Sequence, residues 1–226
     1  MYLPCIKLTT EKFSDMSNLE IEPKNKNAKN LVVLLHGLGS DGQDLLGLVP
    51  FFRDALPDCH FFSPNGIERC DMSPFGYQWF SLSNRDLHFM QSELERSTPM
   101  VLDIIESKLN ELKLTFEDLI LIGFSQGTMM SLYIAHAFEF KVKAVVGFSG
   151  AFFPPAEIKN NKSPICLIHG EEDDVVSFSS MASSKDRLEK SGVKEIETLG
   201  IKNLTHTIDL SGIEFAKNFI IKHLRG

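Results

Sequence analysis

Apolar residues fall into two rhythms along this chain. Residues 31–35 (LVVLL), 119–124 (LILIGF), 142–148 (VKAVVGF) and 164–168 (PICLI) are short, nearly continuous apolar runs. That is the pattern of strands buried on both faces of a parallel sheet. Residues 60–62 and 194–199 add a short strand and a last one. The segments between carry helical spacing: Val101, Ile105, Leu109 and Leu112 share one face, with Thr98 as the expected cap and Pro99 in the first turn. Ser211-Gly212-Ile213-Glu214 matches a capping box and leads into a stripe of Phe215, Ala216, Phe219, Ile220 and Leu224. Residues 126–138 are apolar on most sides, which predicts a helix buried in the middle of the molecule. Strand–helix alternation of this kind specifies an α/β fold: a mostly parallel sheet with helices on both faces, in one domain over residues 1–226. The polar stretch 23–30 reads as a turn before the first strong strand. Residues 63–97, rich in Pro, Gly, Phe and Ser, break the rhythm and are expected to form a loop excursion over the sheet edge and the site there.

One strand end carries the strongest chemical signal. Gly123-Phe124-Ser125-Gln126-Gly127 fits G-x-S-x-G, and it lies between a strand and a helix, the setting that a nucleophile elbow requires. The alternative is an ordinary turn with a capping serine. Gly147-Phe148-Ser149-Gly150 is an internal control: it also ends a strand as G-F-S, but runs into Phe152-Phe153-Pro154-Pro155 instead of a helix. Ser149 is therefore read as a wall of the site.

A serine nucleophile needs a base, and the base an orienting carboxylate. Among seven histidines, His136 and His223 fall within helices, and His60 and His88 in weakly patterned segments. His36 and His169 each end an apolar strand before a glycine, whereas His206 occupies a polar loop between the last strand and the last helix. Chain order (Ser, acid, His) favours His206, with His36 as its rival. Glu171, Glu172, Asp173 and Asp174 follow the 164–168 strand, and residue chemistry alone does not separate Asp173 from Asp174. An oxyanion hole is expected from the backbone of Gln126 and of the glycine-rich loop His36-Gly37-Leu38-Gly39-Ser40-Asp41-Gly42. That loop lacks G-x-G-x-x-G and a Lys-Ser or Lys-Thr pair, so a phosphate cradle is the weaker reading.

Charge and composition narrow the class. With 30 acidic against 23 basic residues, the net charge of −7 disfavours a phosphate backbone as partner. No apolar run approaches the roughly 18 residues that span a bilayer, which leaves only peripheral lipid contact open. Cys5, Cys59, Cys70 and Cys166 are scattered without C-x-x-C spacing, and residues 1–7 lack the charged and apolar regions of a signal peptide. A reduced, cytoplasmic protein without structural zinc is the expectation. The chain has 18 Phe but one Trp and three Tyr, and Phe75, Phe80, Phe152 and Phe153 fall in loops beside the expected site, where some of them would form an apolar acyl pocket.

Taken together, the early HGLG loop, GFSQG, HGxxD and a final histidine make the chain resemble the phospholipase/carboxylesterase family of α/β-hydrolases, which includes bacterial carboxylesterases and acyl-protein thioesterases. The resemblance covers about 31–224. It implies Asp173 as the acid and His206 as the base, with oxyanion donors on the backbones of Leu38 and Gln126. It also implies that Trp79-Phe80 lines the acyl side; Val176, beyond the acid, joins the substrate-lining residues. Thr128 stands where many members have a second glycine, and Val175-Val176-Ser177 replaces their common V-P. The expected activity is hydrolysis of small or acyl-chain carboxylic esters through an acyl-enzyme, without metal or cofactor. A thioesterase or a lysophospholipase would use the same machinery, and a binding protein that keeps the fold is the remaining alternative.

Overall fold

The computed structural model describes residues 19–225; Cys5 and the N-terminal segment 1–7 lie outside the described residues. The chain runs β1 (Glu20–Ile21), β2 (Asn30–Leu35), α1 (Gly42–Leu46), α2 (Val49–Phe52), β3 (Cys59–Phe62), β4 (Glu68–Arg69), β5 (Tyr77–Gln78) and α3 (Leu87–Leu112). It continues through β6 (Leu119–Phe124), α4 (Gln126–Ala137), β7 (Ala144–Phe148), β8 (Ile165–Gly170), α5 (Ser179–Lys190), β9 (Ile196–Ile201) and α6 (Leu210–Leu224). Seven strands form one sheet in the order β1-β3-β2-β6-β7-β8-β9. Every pairing is parallel except that of β1 with β3. This is the mostly parallel single-domain α/β-hydrolase architecture.

Alternation along β2 explains the two-sided burial. Leu31, Val33 and Leu35 face one core with α3, α4 and Leu188 of α5. Val32 and Leu34 face the other, with Leu45 and Leu46 of α1, Val49 and Phe52 of α2, and Ile213, Ala216, Phe219 and Ile220 of α6. Residues 126–136 of α4 are all buried, as its all-round apolar sequence requires.

Two helix starts differ from the sequence expectation. Helix α3 begins at Leu87, capped by the Asp86 carboxylate, and Pro99 lies inside it. Proline mid-helix costs about 3 kcal/mol. Met90, Leu94, Val101, Ile105 and Leu109 put one buried face on both sides of the proline. Each such side chain contributes about 1.5–3 kcal/mol when buried, so packing outweighs the broken ladder. The excursion therefore ends before residue 87. In α6 the N-cap is Asp209, whose side chain accepts from Gly212 N–H; Ser211 lies within the helix and donates its hydroxyl to Asp209.

The excursion is fastened down. Its β4–β5 hairpin lies against the loop after β2, with Gly39 N–H donating to Tyr77 O and Tyr77 N–H to Ser40 O. Arg96 of α3 bridges Glu93 and Glu68 of β4, and Ser81 N–H donates to Glu93.

Candidate active site

Parallel strands end on a common edge, and β2, β6, β7, β8 and β9 lead there into His36, Ser125, Ser149, Asp173 and His206. Crevices at the carboxyl ends of parallel strands are where this architecture binds ligands. At the end of β6, Ser125 adopts the left-handed region (φ 53°, ψ −113°), a conformation that costs about 1–3 kcal/mol for a residue with a side chain. Its neighbours hold it there. A Cβ on Gly123 would lie 2.4 Å from the carbonyl oxygen of Gly127, and one on Gly127 only 1.8 Å from that of Leu35. The N-terminus of α4 thus backs directly onto the end of β2. That contact admits only glycine, and it aims the positive end of the helix dipole at the serine.

The loop after β9 brings His206 across the edge. Ser125 Oγ–H donates to His206 Nε2 at 3.0 Å, and His206 Nδ1–H donates to Asp173 Oδ2 at 2.7 Å. Phe124 lies beside the imidazole with ring centroids 4.8 Å apart. Asp173 has a fully buried side chain, and its Oδ1 accepts from the N–H groups of Val175 and Val176. Burial pushes its carboxyl up, but the hydrogen bonds from His206, Val176 and Val175 outweigh this and hold it below the ordinary carboxylate value. Asp174 is exposed. Geometry thus separates the two aspartates that residue chemistry could not.

The loop after β2 lies alongside the serine: a Cβ on Gly37 would be 3.5 Å from Ser125 Cβ. Among the described residues, the N–H groups of Leu38 and Gln126 donate to no other residue, which leaves two donors for a ligand oxygen. Three side chains brace this loop. His36 is buried, and burial pushes its imidazole below its ordinary value. Its Nδ1–H donates to Gly37 O, and its Nε2 accepts from Gly66 N–H. The rival base is therefore fully engaged and does not reach Ser125. Trp79 Nε1–H donates to His36 O at 2.8 Å. The Gln126 carboxamide accepts from Trp79 N–H and donates to Phe80 O, as a strand partner would.

Those contacts revise the expected acyl pocket. Trp79, Phe80 and Phe152 are fully buried; they brace the loop and fill the core and present no open wall. Phe152 packs on His136 beneath α4, while its N–H and C=O are taken by Ser184 and Arg187. Phe75 is 78% exposed. With Arg69, Tyr77, Asp41 and Asn65 it lines a cavity of about 450 Å³ beyond the loop after β2. Phe153 and Val176 stay partly exposed while packing on the core. Sequence reasoning missed the bracing role of the Gln126 and His36 side chains, although a histidine before a glycine at a strand end marks such a position.

Comparison with known proteins agrees with this fold. The chain is 26% identical over 205 residues to the esterase YpfH of Escherichia coli strain K12, covering 91% of this chain and 86% of the relative. It is 29% identical over 230 residues to an acyl-protein thioesterase 1 homolog of Dictyostelium discoideum, covering 92% and 99%. The crystal structure of esterase PE8 superposes with a TM-score of 0.84 at 35% identity, over 90% of this chain and 96% of that one. The Bacillus cereus carboxylesterase shares the fold, with a TM-score of 0.75 at 18% identity over 94% and 97%. Matched by that family's model over residues 16–224, the chain belongs to the phospholipase/carboxylesterase family.

Proposed function

We propose that the protein is a serine carboxylesterase in which Ser125 is the nucleophile, His206 the general base and acid, and Asp173 the acid that orients it. The observation that carries this reading is the hydrogen-bonded chain Ser125–His206–Asp173, assembled from residues 81 and 33 positions apart on three strand ends. Ser125 Oγ attacks the acyl carbon as His206 Nε2 takes its proton, and Asp173 stabilises the imidazolium through Nδ1. The N–H groups of Leu38 and Gln126 donate to the oxyanion, each worth about 3–4 kcal/mol of transition-state stabilisation. His206 then protonates the departing alkoxide, and water attacks the acyl-enzyme by the same steps in reverse. The cytoplasm is the proposed compartment, in keeping with the free thiols of Cys59, Cys70 and Cys166.

Likeness to esterase PE8 favours oxygen esters as substrates; likeness to acyl-protein thioesterases favours a second reading, thioester hydrolysis by the same residues. A panel of p-nitrophenyl esters from acetate to palmitate, run beside acyl-CoA and lysophosphatidylcholine, separates them. Higher kcat/KM on oxygen esters is expected, and higher values on acyl-CoA would replace carboxylesterase by thioesterase. Fluorophosphonate labelling should vanish in Ser125→Ala; labelling that persists there would sink the nucleophile assignment.

A further inference from the structure

We propose that His169 is a positioning residue for Asp173, donating from Nε2 to the carboxylate oxygen that also binds His206. Its ring closes β8, is 2% exposed, and lies with Nε2 2.8 Å from Val176 O and 3.2 Å from Asp173 Oδ2. A carbonyl only accepts, so Nε2 carries the hydrogen that bonds Val176 O, and the carboxylate oxygen is the second acceptor within reach of the same N–H. The Asp173 carboxylate accepts from Val175 and Val176 N–H on Oδ1 and from His206 on Oδ2, and the proposed fourth donor, His169 Nε2, lies 3.2 Å from the same Oδ2. With His206 alone on Oδ2, the carboxylate could swing about its Oδ1 contacts. The second histidine removes that freedom. It also ties Val176 from the carbonyl side while Asp173 ties it from the amide side, so acid and loop are locked as one unit.

This geometry has an electrostatic consequence. A donor on Oδ2 disperses the charge that faces His206. Without it the carboxylate binds the imidazolium more strongly, and the acid limb of kcat/KM moves to higher pH. Other ionisable groups around His169 are few. Glu171 Oε1 approaches Gly200, the β9 residue paired with His169; Glu172 and Asp174 are exposed. Helix α5 has Phe178 at its N-cap, 6.0 Å from the imidazole, and Ser149 N–H at the end of β7 donates to the neighbouring Ile168 O.

The inference rests on Asp173 being the catalytic acid, and the test keeps the two apart. Gln places an N–H donor where His has Nε2, whereas Leu has none, so His169→Gln and His169→Leu are compared on p-nitrophenyl acetate. In His169→Leu, kcat should fall about tenfold, the worth of one hydrogen bond to a charged group. KM should change little, and the acid limb should rise by about half a pH unit. His169→Gln should restore the rate and the limb. A folded His169→Leu with wild-type kcat and limb overturns the proposal, as does a Gln variant as impaired as Leu. Nitrogen-15 NMR of the wild-type enzyme gives a check independent of variant folding: His169 must be protonated on Nε2 at pH 8, and a bare Nε2 overturns the proposal. If Asp173→Asn leaves turnover intact, the acid assignment fails first, whatever His169 does.

Discussion

Strands β6 and β7 lie side by side, Gly123 opposite Gly147 and Phe124 opposite Phe148, and both leave the sheet as Gly-Phe-Ser. Both serines sit in the left-handed region, Ser125 at φ 53° and Ser149 at φ 49°. Each donates its N–H to the next strand, Ser125 to Phe148 O and Ser149 to Ile168 O. Sequence and backbone at the two serines are therefore nearly the same, and the difference lies in the residues that come after them. Gln126-Gly127 opens a helix in which, among the described residues, the Gln126 N–H next to Ser125 donates to no other residue, and His206 reaches the serine hydroxyl. After Ser149 the chain turns through Gly150 into an irregular segment, and the residue is 1% exposed. Strained backbone at a strand end is thus a shared device for leaving the sheet. A nucleophile needs in addition a helix terminus and a base, and only one of the two ends has both.

That contrast can be broken most directly by truncating each hydroxyl. Ser125→Ala should lower kcat about 10⁶-fold, as in serine proteases. Ser149→Ala should change it less than about tenfold, or 1.4 kcal/mol. Comparable losses in steady-state assays would mean that the two ends share the chemistry. Asp173→Asn comes next, with about 10⁴-fold loss of kcat, against a much smaller loss for exposed Asp174→Asn. The Asp173 carboxyl lies lower in the fold than its unfolded value of 3.8. Its stabilising contribution is thus complete above that pH and lost as the pH falls through the lower folded value. The gap in Tm between wild type and Asp173→Asn should therefore close only in that acid range, which thermal melts at stepped pH will show. Smallest is Thr128→Val. The Thr128 hydroxyl lies 2.8 Å from both Gly123 O and Phe148 O, tying one strand end to the other. Its loss should lower the urea-unfolding free energy by about 1–2 kcal/mol, with Ser125 still labelled by a fluorophosphonate.

The parallel strands and the buried α4 were legible because runs such as 31–35 and 119–124 are too apolar to face water on either side. Chain order was enough to put Ser125, an acid and His206 in sequence, and the resemblance pointed to Asp173. Local signals misled where tertiary contacts outbid them. Pro99 reads as a helix start, yet buried residues on both sides carry α3 through it. Ser211 satisfies a capping pattern, yet the carboxylate of Asp209 reaches the same orphan N–H. Trp79, Phe80 and Phe152 look like pocket walls because they are aromatic and lie in loops. Only the structure shows the backbone and side-chain partners that draw them inside.

The strap formed by 79–80 also sets how the site can be reached. Lifting it would expose Trp79 and Phe80, both fully buried, and release both bonds of the Gln126 carboxamide. Two aromatic side chains bury roughly 150–250 Å² each, and returning that area to water costs roughly 8–15 kcal/mol. An open form at that free energy is populated about once in a million molecules or less. Acyl and alcohol groups therefore enter and leave with this strap in place, and residues 79–80 do not act as a gate.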